Sequence, residues 1–277
     1  MPKKLKVLKN IYNNHRQYKK GALSPSSLPL ALWIEPTNAC NLKCIMCPTA
    51  TKQPEPIGRM DFDLYKKIID EAKDFVAVIC LCISGEPLLH NKLPQMIDYA
   101  RKAGIKTTLS TNATLLTPEV SKEVLEADLD AIYFSFDGCS AEVYEKVRVG
   151  ADFEKTLNNI LRFLELKKEL KKKTITELQI LIMNKEGREN YEENEQAFKE
   201  RFKGLPLNLM QTREPSTWGS NLAETAKFDY KKLPQIFEIF KLKSKKISNS
   251  KPSNLKILSN YDNWNNKGLN EIKFFFT

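Results

Sequence analysis

Three of the six cysteines lie close together in the sequence, at Cys40, Cys44 and Cys47, in a Cys-x3-Cys-x2-Cys pattern. Cysteine thiolates bind iron–sulfur clusters and zinc. Three thiolates on one short loop are suited to hold three irons of a [4Fe–4S] cluster, which leaves the fourth iron open to another ligand. A structural zinc site is the alternative, but it needs a fourth ligand, for which His90 is the candidate. The spacing therefore favours an iron–sulfur cluster.

The segments around these cysteines are predicted to alternate between strands and helices. Apolar runs predict strands over 30–35, 75–83, 105–110, 131–136, 176–183 and 207–211. Apolar residues at helical spacing predict helices over 63–73, 92–102, 117–127, 152–171 and 187–202. Strands that alternate with helices pair in parallel through right-handed crossovers. The sequence therefore predicts an α/β fold, a partial (β/α)6 barrel, with its active site in the loops that follow the strands.

The three-cysteine loop follows the first predicted strand, and Ser84-Gly85-Glu86-Pro87 follows the second. Together they resemble the cluster-binding motif and the Gly-Gly-Glu-Pro loop of the radical S-adenosylmethionine (radical SAM) superfamily, with Ser84 in place of the first glycine. The resemblance implies that the cysteines bind a [4Fe–4S] cluster and that the second loop binds the amino group of S-adenosylmethionine. Carbonyl and carboxylate oxygens are suitable acceptors for an ammonium group, and glycine allows close backbone approach. An ordinary Gly-Pro turn is the alternative for this loop taken alone.

The same resemblance implies further contacts to S-adenosylmethionine from the later loops. They are Ser110 and Asn112 near the ribose or the methionine moiety, Ser135 and Arg148 at the carboxylate, and Met46 near the adenine. A polar turn that caps the next segment is an equal alternative for Ser110 and Asn112, and a solvated surface charge is the alternative for Arg148. Asp137, which lies in a Ser-x-Asp-Gly segment similar to that of the family's peptide-modifying members, is a candidate cap of the following turn.

The resemblance also implies an activity. A radical SAM enzyme uses its reduced cluster to cleave S-adenosylmethionine to a 5′-deoxyadenosyl radical, which abstracts hydrogen from a substrate, here a peptide or a small metabolite. The electron donor would be a protein such as flavodoxin or ferredoxin. The alternative is a truncated or decayed paralogue that only binds an iron–sulfur cluster or a metal. The intact cysteines and Glu86 favour the enzyme, because a decayed site is expected to have lost ligands.

The other three cysteines are interpreted as structural. Cys80 and Cys82 lie on one face of an apolar strand, and small buried hydrophobes are favoured over residues that approach the cluster. Cys139 is interpreted as incidental. No secretory signal or apolar run of membrane-spanning length is present, so we expect a cytoplasmic protein with reduced cysteines.

The charge of the 277-residue chain, +10, belongs mainly to its two ends. Residues 1–34 carry seven lysines or arginines and no acidic residue, and residues 241–277 carry eight lysines and two acidic residues, which leaves the rest at −3. A nucleic-acid partner is therefore a minor alternative, and we interpret the ends as solvated tails. We expect an N-terminal basic segment at 1–28, a barrel at 29–220 and a partly disordered C-terminal remnant at 221–277.

The C-terminal part departs from one group of radical SAM proteins. Residues 57–62 and Trp218-Gly219 resemble members with a C-terminal cysteine-rich (SPASM-type) extension, which binds auxiliary clusters. No cysteine follows Cys139, so auxiliary clusters are not expected unless a partner supplies ligands. The polar, low-complexity composition of residues 241–277 leads to the hypothesis that this extension is truncated or altered in reading frame.

Overall fold

A six-stranded parallel β-sheet forms the centre of the fold. The computed structural model describes residues 3–22, 26–51, 55–183 and 185–213, all within one compact unit, Met1–Ala226. The strands follow one another in sequence order across the sheet, and every neighbouring pair is parallel. They are β1 (Ala31–Trp33), β2 (Val78–Cys80), β3 (Lys106–Thr111), β4 (Ala131–Ser135), β5 (Ile175–Leu181) and β6 (Leu209–Arg213). The predicted partial (β/α)6 architecture is confirmed.

Helices connect the strands and cover one face of the sheet. They are α1 (Lys3–Lys19), α2 (Pro48–Thr51), α3 (Phe62–Ala72), α4 (Leu93–Lys102), α5 (Pro118–Glu126), α6 (Ala141–Val147), α7 (Phe153–Glu169) and α8 (Lys185–Glu200). Thr117 caps α5 through Val120 N, with Pro118 at the first helical position, as predicted. Ser140 caps α6 in the same way, through Val143 N. The short helices α2 and α6 were not predicted.

The alternation of side chains along the strands separates a core from a polar face. In β4, Ile132 and Phe134 are fully buried in the apolar core, and Phe134 packs edge-on against Phe163 of α7. Tyr133 and Ser135 alternate with them along the strand and therefore point to the opposite face of the sheet. That second face, here called the polar face, carries Ser110 of β3 and Glu177 and Gln179 of β5 beside them.

The N-terminal helix contradicts the interpretation of residues 3–19 as part of a solvated tail. Asn10 and Asn14 are buried, and the Asn10 side-chain amide donates to Leu28 O and Phe75 O at 3.0 and 3.1 Å. Tyr12 of the same helix is 63% exposed. The helix docks through asparagine amides that pair backbone oxygens, because those oxygens need donors once they are buried.

Two further predictions meet the limits of the described residues. The C-terminal segment 221–277, together with Trp218 and Gly219, lies outside them. Within them, no helix is both long enough and apolar enough to cross a membrane.

Candidate functional site

The three-cysteine loop follows β1 and is held by the segment that follows α6. Lys43 N and Ile45 N donate to the backbone oxygens of Val149 and Val147, each at 3.0 Å. The two segments therefore lie side by side in antiparallel orientation, and the two hydrogen bonds flank Cys44. The position of the central cysteine is thus set by backbone hydrogen bonds of the protein itself.

The loop after β2 packs directly against the backbone of the three-cysteine loop. Glu86 N donates to Ala39 O at 2.8 Å. A Cβ atom on Gly85 would lie 2.1 Å from Thr37 O and 2.6 Å from Ala39 O, far inside any contact that a real Cβ makes. Only glycine fits here without displacing one of the two loops. The close approach joins the two loops that the sequence predicted to share a site.

Glu86 is buried beneath these loops and accepts hydrogen bonds from both sides. Its Oε1 accepts from Thr111 Oγ1 at 2.7 Å and from Leu88 N at 3.1 Å, and its Oε2 accepts from Asn112 N at 2.8 Å. Burial raises the pKa of Glu86, while these hydrogen bonds and the charge of Arg148 act in the opposite direction. The carboxylate therefore links the loop after β2 to the end of β3.

Replacing Glu86 with glutamine is expected to destabilise the protein. The two carboxylate oxygens accept from the backbone N–H groups of Leu88 and Asn112. In glutamine, one of these oxygens becomes an NH2 group, so a donor faces a donor and one hydrogen bond is lost. A buried unsatisfied donor costs about 1–3 kcal/mol. Thermal unfolding of the metal-free protein checks this, with the exposed Glu71→Gln as the matched control, expected within about 0.5 kcal/mol of the parent. Equal unfolding temperatures for both variants would contradict the assigned hydrogen bonds.

Asn112, after β3, has contacts on both sides. Its Oδ1 accepts from Thr114 N at 3.0 Å and from Thr114 Oγ1 at 2.7 Å, so the predicted turn cap is present. Its Nδ2 donates to Asn41 Oδ1 at 3.1 Å and lies 4.0 Å from Cys40 Sγ. The same side chain therefore both shapes its own turn and contacts the three-cysteine loop.

Arg148 is not a solvated surface charge. Its Nε donates to Asp137 Oδ2 at 2.7 Å, its Nη2 lies 2.5 Å from the same oxygen, and its Nη1 lies 3.8 Å from Cys44 Sγ. Asp137, which we expected to cap a turn, instead accepts from Arg148 and from Leu181 N at 2.9 Å. The guanidinium has five N–H groups, so these three contacts leave it able to bind a further anion. The pair therefore brings charge directly to the cysteine loop.

The remaining predicted ligand residues lie around the same edge of the sheet. Ser84 N donates to Glu35 Oε1 at 2.7 Å, which ties the loop after β2 to the end of β1. Ser110 is the second-last residue of β3, and Ser135 is the last residue of β4. Both are half-buried, as is Met46 beside Cys47.

Burial and the charge of Arg148 act in opposite directions on two thiols of the three-cysteine loop. Burial raises the pKa of Cys40 and of Cys44. The positive charge of Arg148 acts in the opposite direction on the pKa of both thiols. The guanidinium of Arg148, 3.8 Å from Cys44 Sγ, thus favours the thiolate there against the larger effect of burial. Among the described residues, no group of three or more histidine, cysteine or acidic side chains is placed to hold one metal ion. In a four-iron cluster each cysteine binds a different iron, so the three sulfur atoms need not converge on one metal ion.

His90 is not placed as a fourth zinc ligand. It is buried, its Nε2 is 3.0 Å from Met60 O, and its Nδ1 accepts from Lys92 N at 3.2 Å. Both ring nitrogens are thus engaged within the fold. The structure offers no support for the structural zinc alternative in the part of the chain that it describes.

The other three cysteines lie outside the three-cysteine loop, and strand register places Cys80 on the same face of the sheet as Ser110 and Tyr133. Cys80 Sγ accepts from Thr108 Oγ1 at 3.1 Å on the neighbouring strand, and burial raises the pKa of Cys82 to about 12. Burial likewise raises the pKa of Cys139 to about 12. All three are free thiols. Cys139 is buried in the apolar core, whereas Cys80 and Cys82 are half-buried and lie outside it, which differs from the core position predicted for them.

The chain belongs to the radical SAM superfamily, because residues 34–196 match that family. The family uses a [4Fe–4S] cluster and S-adenosylmethionine, and the matched region contains the three cysteines and all the loops described above. The family relation that the motifs implied is therefore confirmed, and the decayed alternative is not favoured.

Similar curated proteins carry out different reactions. The chain is 40% identical over 108 residues to the tungsten-containing aldehyde ferredoxin oxidoreductase cofactor-modifying protein of Pyrococcus furiosus, covering 38% of this chain and 30% of the relative. It is 32% identical over 139 residues to the AdoMet-dependent heme synthase of Methanosarcina barkeri, covering 50% and 40%. It is 31% identical over 126 residues to a mycofactocin maturase of Mycobacterium tuberculosis, covering 46% and 32%. The matches thus span less than half the length of these relatives.

Solved structures share the fold. Streptococcus suis SuiB bound to S-adenosylmethionine superposes with a TM-score of 0.57 at 17% identity, covering 74% of this chain and 44% of SuiB. The enzyme anSMEcpe with bound AdoMet superposes with a TM-score of 0.53 at 22% identity, covering 67% and 51%. At these identities the likeness concerns the fold alone.

Proposed function

We propose that the chain is the catalytic core of a radical SAM enzyme in which Cys40, Cys44 and Cys47 hold the [4Fe–4S] cluster. The observation that carries the proposal is the packing of three strand-end loops into one site. Gly85 lies against the backbone of the cysteine loop, and Asn112 donates to Asn41 within it. When bound, the cluster and S-adenosylmethionine supply a 5′-deoxyadenosyl radical that abstracts hydrogen from a substrate.

The protein's own residues bind and orient S-adenosylmethionine in this proposal. The loop Ser84-Gly85-Glu86-Pro87 accepts its ammonium group, since carbonyl oxygens at a glycine turn and a nearby carboxylate are suitable acceptors. Ser135 and the remaining N–H groups of Arg148 bind its carboxylate. Ser110 and Asn112 lie by the ribose or the methionine moiety, and Met46 covers the adenine and excludes water from the cluster.

The substrate is proposed to contact the polar face of β5 and β6, the face that carries Glu177, Gln179 and Gln211. Glu177 is buried there, and its Oε1 accepts from Gln179 Nε2 at 2.7 Å, from Arg213 NH2 at 3.2 Å and from Gln211 Nε2. A buried carboxylate surrounded by amides and a guanidinium suits a substrate with several polar groups. A peptide or a small metabolite fits this chemistry: one relative is a cofactor-modifying protein, and the structural neighbour SuiB is bound to a precursor peptide.

The partners follow from the electron that the cluster requires. A reduced flavodoxin or ferredoxin is proposed to supply it. A reducing compartment such as the cytoplasm is proposed, because the proposed ligands must remain unoxidised thiols until iron binds.

Anaerobic reconstitution with iron and sulfide tests the proposed function. We expect a brown protein with about four irons per chain, and 5′-deoxyadenosine that forms only when dithionite and S-adenosylmethionine are both present. The amount of nucleoside is measured by liquid chromatography against a sample without reductant. A colourless protein that binds one zinc, or a brown protein that yields no nucleoside, would refute the proposal.

A further inference from the structure

We propose that Asp137 and Arg148 are positioning residues that fix the charge beside Cys44 and so set the reduction potential of the cluster. The inference rests on the proposed function, because it concerns the cluster that the three cysteines are proposed to hold. It gives Arg148 a role that is independent of any contact with S-adenosylmethionine, and it gives Asp137 a role that the sequence did not suggest.

The guanidinium is held in one orientation. Its Nε donates to Asp137 Oδ2 and its Nη2 lies 2.5 Å from the same oxygen, while Nη1 lies 3.8 Å from Cys44 Sγ. Asp137 is itself fixed, because its other oxygen accepts from Leu181 N at the end of β5. The side chains of Arg148 and Asp137 are only 12% and 3% exposed, so solvent screens the pair weakly.

The local fold brings the two residues together although they are eleven positions apart in the sequence. Gly138 has a φ of +144°, and a Cβ there would lie 2.9 Å from Tyr144 N, so the chain turns tightly into α6. Arg148 N closes the helix on Tyr144 O at 2.7 Å. The backbone bonds on either side of Cys44 then place Arg148 opposite that cysteine. The charge is therefore held by the scaffold and not by a mobile side chain.

Electrostatics gives the two residues opposite effects. One-electron reduction adds a negative charge to a cluster, which a neighbouring cation stabilises and a neighbouring anion destabilises. Arg148 should therefore raise the reduction potential, and Asp137 should lower it by partly compensating Arg148. Because hydrogen bonds to cluster sulfurs and net charge both tune these potentials, a contact at 3.8 Å to a ligand sulfur is expected to matter.

The test compares Arg148→Met and Asp137→Asn in reconstituted protein without S-adenosylmethionine. Potentiometric titration followed by electron paramagnetic resonance measures the reduction equilibrium. We expect the equilibrium constant for reduction to fall about tenfold in Arg148→Met, which is about 59 mV for one electron. We expect it to rise severalfold in Asp137→Asn, where the guanidinium charge is left uncompensated. Arg148→Lys keeps the charge and should lie closer to the parent than Arg148→Met does.

A matched control is Arg162→Met, which removes an arginine that pairs with Glu165 and Glu169 on the exposed side of α7. Its reduction potential should equal that of the parent. Shifts of the same sign in Arg148→Met and Asp137→Asn, or none, would overturn the inference while the iron content still supports the proposed function. If Arg148→Met fails to retain iron, Asp137→Asn decides alone: an unchanged or lowered potential overturns the inference. A parent protein without a cluster would instead refute the proposed function.

Discussion

Replacing Cys40, Cys44 and Cys47 together with alanine is expected to give a colourless protein that retains only background iron and forms no 5′-deoxyadenosine. Thiolates are the proposed protein ligands of the cluster, and His90 is engaged elsewhere in the fold. Iron and sulfide content and visible absorbance after anaerobic reconstitution measure the loss. The expected loss is complete, because none of the three proposed ligand thiolates remains in this variant.

The fold of this triple variant should persist, which keeps the result interpretable. The loop is held mainly by backbone hydrogen bonds, including those of Lys43 and Ile45, and alanine leaves these in place. The matched control is Cys80→Ala with Cys82→Ala, which removes two thiols that lie on β2 and just after it. That double variant should bind iron and turn brown as the parent does. A brown triple variant, or a colourless control, would show that the ligands were assigned wrongly.

Much of the fold was predictable because its elements carry strong local signals. The apolar residues of α7 recur at helical spacing, and the structure places that helix within two residues of the predicted boundaries. The predicted strand over 75–83 is shorter in the structure, at Val78–Cys80, because only those residues pair with both neighbouring strands. Helix α6 has two turns and a weak apolar pattern, so its one usable signal was the N-cap Ser140.

The site was predictable where chemistry is local in the sequence and not where it depends on distant pairing. The cysteine spacing and the Gly85-Glu86-Pro87 turn lie within single loops, so the sequence was sufficient to identify them. Thr111 as a partner of Glu86, and Asp137 as a partner of Arg148, depend on strand register and on a helix that was not predicted. The burial of the asparagines in α1 was not predictable for a related reason. The backbone oxygens that Asn10 pairs with belong to Leu28 and Phe75, which are distant in sequence.

Gly85→Ala is expected to abolish formation of the cluster site and to destabilise the fold. The added Cβ would meet Thr37 O at 2.1 Å and Ala39 O at 2.6 Å, and both obstacles are backbone atoms of the cysteine loop. Overpacking usually costs about 1–3 kcal/mol, and a backbone cannot rotate away as a side chain does. The two loops must therefore separate, which also breaks the hydrogen bond from Glu86 N to Ala39 O.

Gly58→Ala separates this steric effect from the general loss of a glycine. Gly58 also lies beside the loop, since its backbone oxygen accepts from Thr37 Oγ1, yet a Cβ there meets nothing within 4 Å. We expect Gly58→Ala to reconstitute and melt like the parent, and Gly85→Ala to retain less than about a tenth of the iron, as a loss above about 1.4 kcal/mol in site assembly implies. Equal iron content in the two variants would mean that the loops do not need their close approach. Loss of iron in Gly85→Ala alone would show that the cysteine loop and the loop proposed to bind S-adenosylmethionine must pack closely for the cluster to form.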